Sequence, residues 1–355
     1  MLSDGDAALL GDDDVRDLSE FSVDGRYIIG QFGGAHFVWD VANKALAARD
    51  SVYPSPDFVL SNPCRSLRSQ RPSDYGAHNI AYVDCASGKA GKVGSEMPSQ
   101  SAIARVDEQC GRGLVFARKK NVRVGEEWVP VFEKARLWVF DTSTLKMLPD
   151  LTSLFRARIV GSAIVSRGGR CVAYALVQGG ATGRLLDGVV REYTPVEIDE
   201  VDLGNRTRKM VGRLVPLGQR VALVARDQVE VSPDGRYLAL VTVRSDDWRW
   251  GEKTLAPEIF DLQMGQTVRE FPGPIRSVLP FVWLDGHRIA YVVGDRIKVG
   301  DIRSGALSDV EIPKSISCNG KACKVLGLRF SRATGMLAIW LEDSVLFAQV
   351  AALPE

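Results

Sequence analysis

A unit recurring seven times, apolar residues alternating at period two, and no long segment of period 3.6 together predict an all-β fold. Each unit reads as four short antiparallel strands separated by Asp/Gly turns. The expected architecture is a single β-propeller over residues 1–355, with about seven four-stranded blades around a central channel.

The clearest unit is 229–273: strand, Ser-Pro-Asp-Gly turn, strand, long polar-aromatic loop, third strand, Met-Gly turn and fourth strand. Pro233 presets φ, Asp234 bonds back to its own backbone and Gly235 accepts a positive φ, so the turn follows from local chemistry. In the next strand Tyr237, Ala239 and Val241 point one way, and Leu238, Leu240 and Thr242 the other. Both rows are largely apolar, so each face needs a covering neighbour. The other units supply them.

In chain order, 21–30 leads to 37–41, 80–85 to 87–89 and 137–141 to 143–146. Then 166–174 leads to 196–202, 232–239 to 259–261, 283–290 to 297–301 and 331–338 to 345–349. The expected third-strand anchors are Asp40, Asp84, Asp141, Asp199, Asp261, Asp301 and Gln349, roughly 51 residues apart. The last unit lacks an outer strand. Residues 7–10 (Ala-Ala-Leu-Leu) are expected to complete it, closing the ring and removing an exposed edge.

SPDGRYLA at 232–239 resembles the repeat of bacterial WD40-like and TolB-like β-propellers; DGRY at 24–27 is similar, and Trp39-Asp40 is the one Trp-Asp pair. No Gly-His pair opens a unit, so the hydrogen-bonded network of strict WD40 repeats is not carried over. The resemblance implies the fold and assigns no activity or functional residue.

Lys and Arg number 45 against 44 Asp and Glu, leaving a net charge of +1. No global field draws the chain to nucleic acid or anionic lipid. No apolar run reaches membrane-span length, so a soluble protein is expected. The first residues lack the basic and apolar regions of a signal peptide, which points to the cytoplasm; a removed leader and oxidised cysteines would point to the periplasm or export.

Six cysteines are present. Cys64, Cys85, Cys110 and Cys171 are scattered and read as small buried residues. Cys318 and Cys323 flank an Asn-Gly turn, which brings them close enough for a disulfide. Half a zinc site is the alternative, although no second Cys/His pair follows at ligand spacing. A disulfide implies an oxidising compartment.

Most units join their second and third strands tightly, but three consecutive units insert 118–134, 178–195 and 244–253. In a propeller these loops emerge on one face and form a continuous wall. Trp128, Arg191, Tyr193, Trp248, Arg249 and Trp250 give that wall the aromatic and Arg composition of a protein interface. The alternatives are aromatics that only pack the loops down, or insertions that lengthen the flanking strands. Around 61–72, Arg65, Arg68 and Arg71 recur every third residue and suit either an anionic group or a solvated loop.

Catalytic patterns are missing. His36, His78 and His287 have no metal spacing; there is no G-x-S-x-G, no nucleotide-binding glycine motif opening a helix, and no sialidase or quinoprotein signature. Asp12, Asp13 and Asp14 read as a solvated acidic turn rather than a calcium site. The expectation is a non-enzymatic scaffold without cofactor or metal, a monomeric propeller that binds another protein within a complex. Two alternatives stay open: an enzyme or small-ligand binder using the central channel, and a sensor domain of a longer protein.

Overall fold

Period-two alternation carries through to the backbone: apart from one 3-10 turn, Thr152–Leu154, every regular element among the described residues is a strand. The structure, a computed structural model, describes residues 15–350 apart from 23–26, 33–34, 41–44, 51–57, 62–63, 70–79, 85–86, 88, 94–100, 108, 118–119, 125–126, 132–136, 150, 156–157, 179–184, 187–188, 191–195, 215–222, 245–253, 272–280, 295, 313–315, 317, 319–322, 332–333 and 342–344.

The first sheet holds β1 (Val15–Phe21), β2 (Tyr27–Phe32), β3 (Ala35–Asp40) and β4 (Ala45–Asp50). The second holds β5 (Phe58–Ser61), β6 (Cys64–Ser69), β7 (Ile80–Asp84) and β8 (Ala90–Val93). The third holds β9 (Ser101–Asp107), β10 (Arg112–Ala117) and, after a separate hairpin of β11 (Lys120–Val124) and β12 (Glu127–Val131), β13 (Leu137–Asp141). The fourth holds β14 (Arg158–Arg167) and β15 (Arg170–Gln178); a hairpin of β16 (Leu185–Leu186) and β17 (Val189–Val190) precedes its β18 (Val196–Asp202) and β19 (Thr207–Leu214).

β20 (Leu223–Val231), β21 (Tyr237–Arg244), β22 (Thr254–Asp261) and β23 (Gln266–Glu270) form the fifth sheet. β24 (Phe281–Trp283), β25 (Arg288–Val293), β26 (Arg296–Asp301) and β27 (Leu307–Val310) form the sixth. β28 (Val325–Ser331), β29 (Met336–Leu341) and β30 (Val345–Gln349) form the seventh, which has three strands. Every pairing among the described strands is antiparallel. First strands meet in succession: β9 lies against β14, β14 against β20, β20 against β24 and β24 against β28. β1 lies against both β5 and β28, and β9 also meets β6 and β7.

The cores lie between sheets. Tyr237, Ala239 and Ile259 pack with Phe281, Trp283 and Tyr291 of the sixth sheet. Leu238, Leu240 and Phe260 pack with Tyr174, Leu176 and Ile198 of the fourth. The two rows of β21 therefore face two different neighbours, as the alternation predicts. Trp283 is fully buried, stacks on Tyr237 with ring centroids 6.4 Å apart, and donates its indole N–H to the Glu230 carbonyl at 3.2 Å. A buried aromatic of this size contributes about 2–3 kcal/mol through its apolar area.

In the third sheet the expected fourth strand reduces to a Phe140–Met147 bridge and two hydrogen bonds, Leu148 N–H to Val139 O and Leu151 N–H to Leu137 O. Pro149 offers no N–H between them, so a regular ladder stops there.

One expected anchor is corrected. Asp199 lies mid-strand in β18 and is fully buried; the residue equivalent to Asp261 is Asp202. In each of the last five sheets the residue after the third strand's end donates to a carbonyl at the start of the second strand. Thr142 bonds Gly111, Leu203 bonds Cys171, Leu262 bonds Arg236, Ile302 bonds His287 and Val350 bonds Gly335. Counting Asp residues by spacing missed this because β18 carries two, three residues apart. Residues 7–10 lie outside the described residues.

A second correction concerns cysteine. Cys110 and Cys171 are not separate buried thiols; they form a disulfide with S–S 2.10 Å. It joins the β9–β10 turn of the third sheet to β15 of the fourth. Cys318 and Cys323 form another, with S–S 2.04 Å, buried beside Val325 and Leu346 in the core of the last two sheets.

Candidate interaction surface

Strand order sorts the connections. With four antiparallel strands in sequence, the 1–2 and 3–4 turns share one end of each sheet. The 2–3 links and the crossings to the next sheet share the other.

At the turn end of the third to sixth sheets, an Asp closing the third strand organises the 3–4 turn. Asp141 Oδ1 accepts from the N–H and hydroxyl groups of Ser143 and Thr144, over 2.6–3.1 Å. Asp202 Oδ1 accepts from Gly204 and Asn205 N–H, both at 2.9 Å. Asp261 Oδ1 accepts from Gln263 and Met264 N–H at 2.8 and 3.0 Å. Asp301 Oδ1 accepts from Ser304 N–H and hydroxyl at 2.6 and 2.9 Å. The Ser143 hydroxyl, then the Thr144 N–H, hold the Asp141 carboxyl down at a pKa of about 2.

The second oxygen of three of these carboxylates meets an Arg from the start of the second strand. Arg112 reaches Asp141 at 2.6 Å, Arg236 reaches Asp261 at 3.1 Å and Arg170 lies 3.8 Å from Asp202. This gives the Gly-Arg pair of these turns its physical role: Gly111, Gly169 and Gly235 supply the positive φ and the Arg neutralises the third-strand Asp. In the sixth sheet His287 takes the place of Arg, with Nδ1 3.1 Å from Asp285 and Nε2 3.4 Å from Asp301. Among the described residues no group of three His, Cys, Asp or Glu side chains is placed to hold a metal. Arg65, grouped above with Arg68 and Arg71, stands in β6 rather than in a loop; it donates to Ser143 O at 2.9 Å and lies over the Tyr82 ring. Strand pairing thus replaces the irregular segment expected at 61–72, at least over Cys64–Ser69.

At the link end, the insertions of the third and fourth sheets each carry a hairpin, β11–β12 and β16–β17, and both interrupt their sheets between the second and third strands. Both hairpins therefore leave at the same end. Trp128 stands on β12, with its Cα opposite that of Arg123. Arg191, Tyr193, Trp248, Arg249 and Trp250 lie outside the described residues. The flanking strands are also longer: β15 and β18 have 9 and 7 residues, β21 and β22 have 8 each, against 6 each in β25 and β26. Of the insertions at 178–195 and 244–253, only Gln178 and Arg244 belong to the blade strands on either side. The Cys110–Cys171 disulfide ties these two hairpin-bearing sheets together from the opposite end.

Two inner-strand features escaped sequence reasoning. Between Val224 and Val229, β20 advances five residues while its partner β21 advances two, from Thr242 to Leu240. Beside that bulge, Arg105 of β9 donates from Nε and Nη2 to Val229 O, each at 3.2 Å, across 124 positions of sequence. No local periodicity could have signalled either.

No protein family matches the chain, and no curated protein matches it. Solved structures do, at the level of fold. The complex of KlAtg21 with the coiled coil of AgAtg16 has a TM-score of 0.62 at 14% identity, covering 95% of this chain and 94% of that one. Kuenenia stuttgartiensis hydrazine synthase has 0.59 at 13%, covering 99% and 97%. Chaetomium thermophilum Raptor has 0.60 at 13%, covering 96% of this chain but 29% of the Raptor chain. With these likenesses and its antiparallel sheets of three and four strands, the chain has a WD40-like propeller fold.

Proposed function

We propose that this chain is a non-enzymatic interaction scaffold whose partner protein docks at the link end, across the insertions of the third, fourth and fifth sheets. The observation that carries this reading is the pair of hairpins, β11–β12 and β16–β17, leaving adjacent sheets at one end. Trp128, Arg191, Tyr193, Trp248, Arg249 and Trp250 are the intended contacts, since aromatic and Arg residues dominate binding energy at protein interfaces. One structural neighbour is a complex with a coiled coil, which supports protein docking by this fold in general.

The reading includes a seven-bladed ring formed by residues 1–355 as a single monomeric domain. The contact of β28 with β1 supports it. Residues 7–10 would supply the outer strand of the last blade, so removing residues 1–11 is expected to lower Tm sharply. An unchanged Tm would sink that part. The two disulfides favour an oxidising compartment.

The test is affinity capture from the native host, followed by titration of the purified partner against parent and Trp128→Ala/Trp248→Ala/Trp250→Ala proteins. Affinity should fall by about thirtyfold or more, equivalent to losing about 2 kcal/mol, with Tm unchanged. Undiminished affinity overturns the proposal. A second reading, a small ligand or reaction in the central channel, is favoured by Arg105 and the adjacent β20 bulge, because bulges often sit beside active sites. Native mass spectrometry showing a bound small molecule would select it. A third, a sensor domain within a longer chain, draws support from the Raptor likeness, where the match occupies 29% of that chain.

A further inference from the structure

The seam between the third and fourth sheets contains two buried polar atoms without a protein partner. Asp199 is fully buried and Ser162 nearly so, at 2% exposure. Asp199 Oδ1 and Ser162 Oγ each make no hydrogen bond. They are not independent. In the ladder Ser162 stands opposite Ala175, and Ala175 opposite Asp199, so the three residues form one row across β14, β15 and β18.

That row faces the third sheet. Residues of the same parity on these strands, Ile164, Ala173, Val177 and Val201, pack there against Leu114, Leu137 and Val139. The middle position is alanine, the shortest side chain that still has a Cβ. Polar groups therefore flank a low point in an otherwise apolar seam.

A direct bond between the two is out of reach. Two strand spacings separate their backbones by about 10 Å, and neither side chain extends far enough laterally to close that gap. The other carboxylate oxygen is already engaged: Arg208 Nε donates to Asp199 Oδ2 at 2.7 Å. Arg208 in turn donates to Leu154 O at 3.0 Å and lies over the Phe155 ring, covering the carboxylate from the rim. A guanidinium so placed repels a metal ion. What remains is a neutral ligand that both donates and accepts and spans a few ångströms.

We propose that the seam holds a buried water site linking Asp199 Oδ1 to Ser162 Oγ above Ala175. Water meets each requirement: it donates to the carboxylate oxygen, exchanges either role with the hydroxyl, and fits over an alanine. Burial pushes the Asp199 pKa up against the pull of Arg208. A water donating to Oδ1 favours the charged form that Arg208 needs. The proposal does not depend on how the link end is used.

The test pairs a density map with one substitution. A crystal structure at about 1.5 Å should show a peak within hydrogen-bond reach (about 2.6–3.2 Å) of an atom of each residue, or a short file of peaks connecting them. In Ser162→Ala the water loses an anchor, and Tm should fall by about 2 °C. If Ser162 Oγ were an orphan, the same change would relieve an unmet buried hydroxyl and leave Tm equal or higher. A map without the peak, or a Ser162→Ala protein at least as stable as the parent, overturns the proposal.

Discussion

Arg236 places Nε and Nη2 at 3.2 and 3.1 Å from a single oxygen, Oδ2, of Asp261, whose Oδ1 caps the next turn. One buried carboxylate thus fastens the 1–2 turn and the 3–4 turn of the fifth sheet to each other. Asp141 with Arg112 repeats the arrangement in the third sheet. In these two sheets the turn end is fastened by pairing within the blade, and neighbouring sheets add contacts such as Arg65 to Ser143 O and the Cys110–Cys171 disulfide.

Asp261→Ala should destabilise the fold by about 2–3 kcal/mol, because it strands two turn N–H groups and the Arg236 guanidinium together. Arg236→Ala should cost clearly less, since that side chain is 43% exposed and water can replace it. Urea unfolding of both variants checks the ranking; equal losses would contradict it.

The fourth residue after the turn Asp adopts a left-handed conformation in four sheets. Gly265 and Gly305 have φ of 70° and 77°, whereas Leu145 and Arg206 hold φ of 57° and 55° with a Cβ. Arg206→Gly should therefore stabilise the protein by about 1 kcal/mol, seen as a higher urea midpoint. Gly265→Ala should do the reverse and more, because the new Cβ would lie 2.6 Å from the Val211 carbonyl oxygen of the neighbouring sheet.

The two disulfides should differ in value. Cys110–Cys171 closes a separation of 61 residues and Cys318–Cys323 one of 5. Loop-closure entropy predicts about 4 kcal/mol for the first and about 2 kcal/mol for the second. Unfolding of Cys110→Ser/Cys171→Ser and Cys318→Ser/Cys323→Ser proteins tests the order.

Acid should weaken the turn end. The folded-state pKa of Asp141 is depressed from 3.8 to about 2, so its contribution is complete above pH 3.8 and is lost as pH falls through about 2. Asp199 carries the opposite sign: its pKa is raised, so its contribution is greatest in acid and declines as pH rises through the folded value. In Asp141→Asn, the stability deficit relative to the parent should shrink between pH 4 and pH 2. A deficit independent of pH would rule out this account.

Much of the fold was legible from local pattern. The turn at Ser232 to Gly235, the two-sided strand after it and the Cys318–Cys323 disulfide are set by residues within a few positions of one another. Asp199 was misread as an anchor because spacing alone cannot tell a turn carboxylate from a mid-strand one; burial and register separate it from Asp202. The Cys110–Cys171 pair was invisible because two sheets must pack before those positions meet.

The candidate surface divides in the same way. Sequence marked three insertions and their aromatics, and strand order then places the two described hairpins at one end.

By itself, then, the sequence determined the repeat, the alternation and the turn chemistry, because these depend on neighbours along the chain. Only the tertiary structure decided the Arg105–Val229 contact, the inter-sheet disulfide and the polar row of Ser162 and Asp199. Each joins residues far apart in sequence: the disulfide and the Arg105–Val229 contact form when separate sheets meet, and the polar row forms when the strands of the fourth sheet pair.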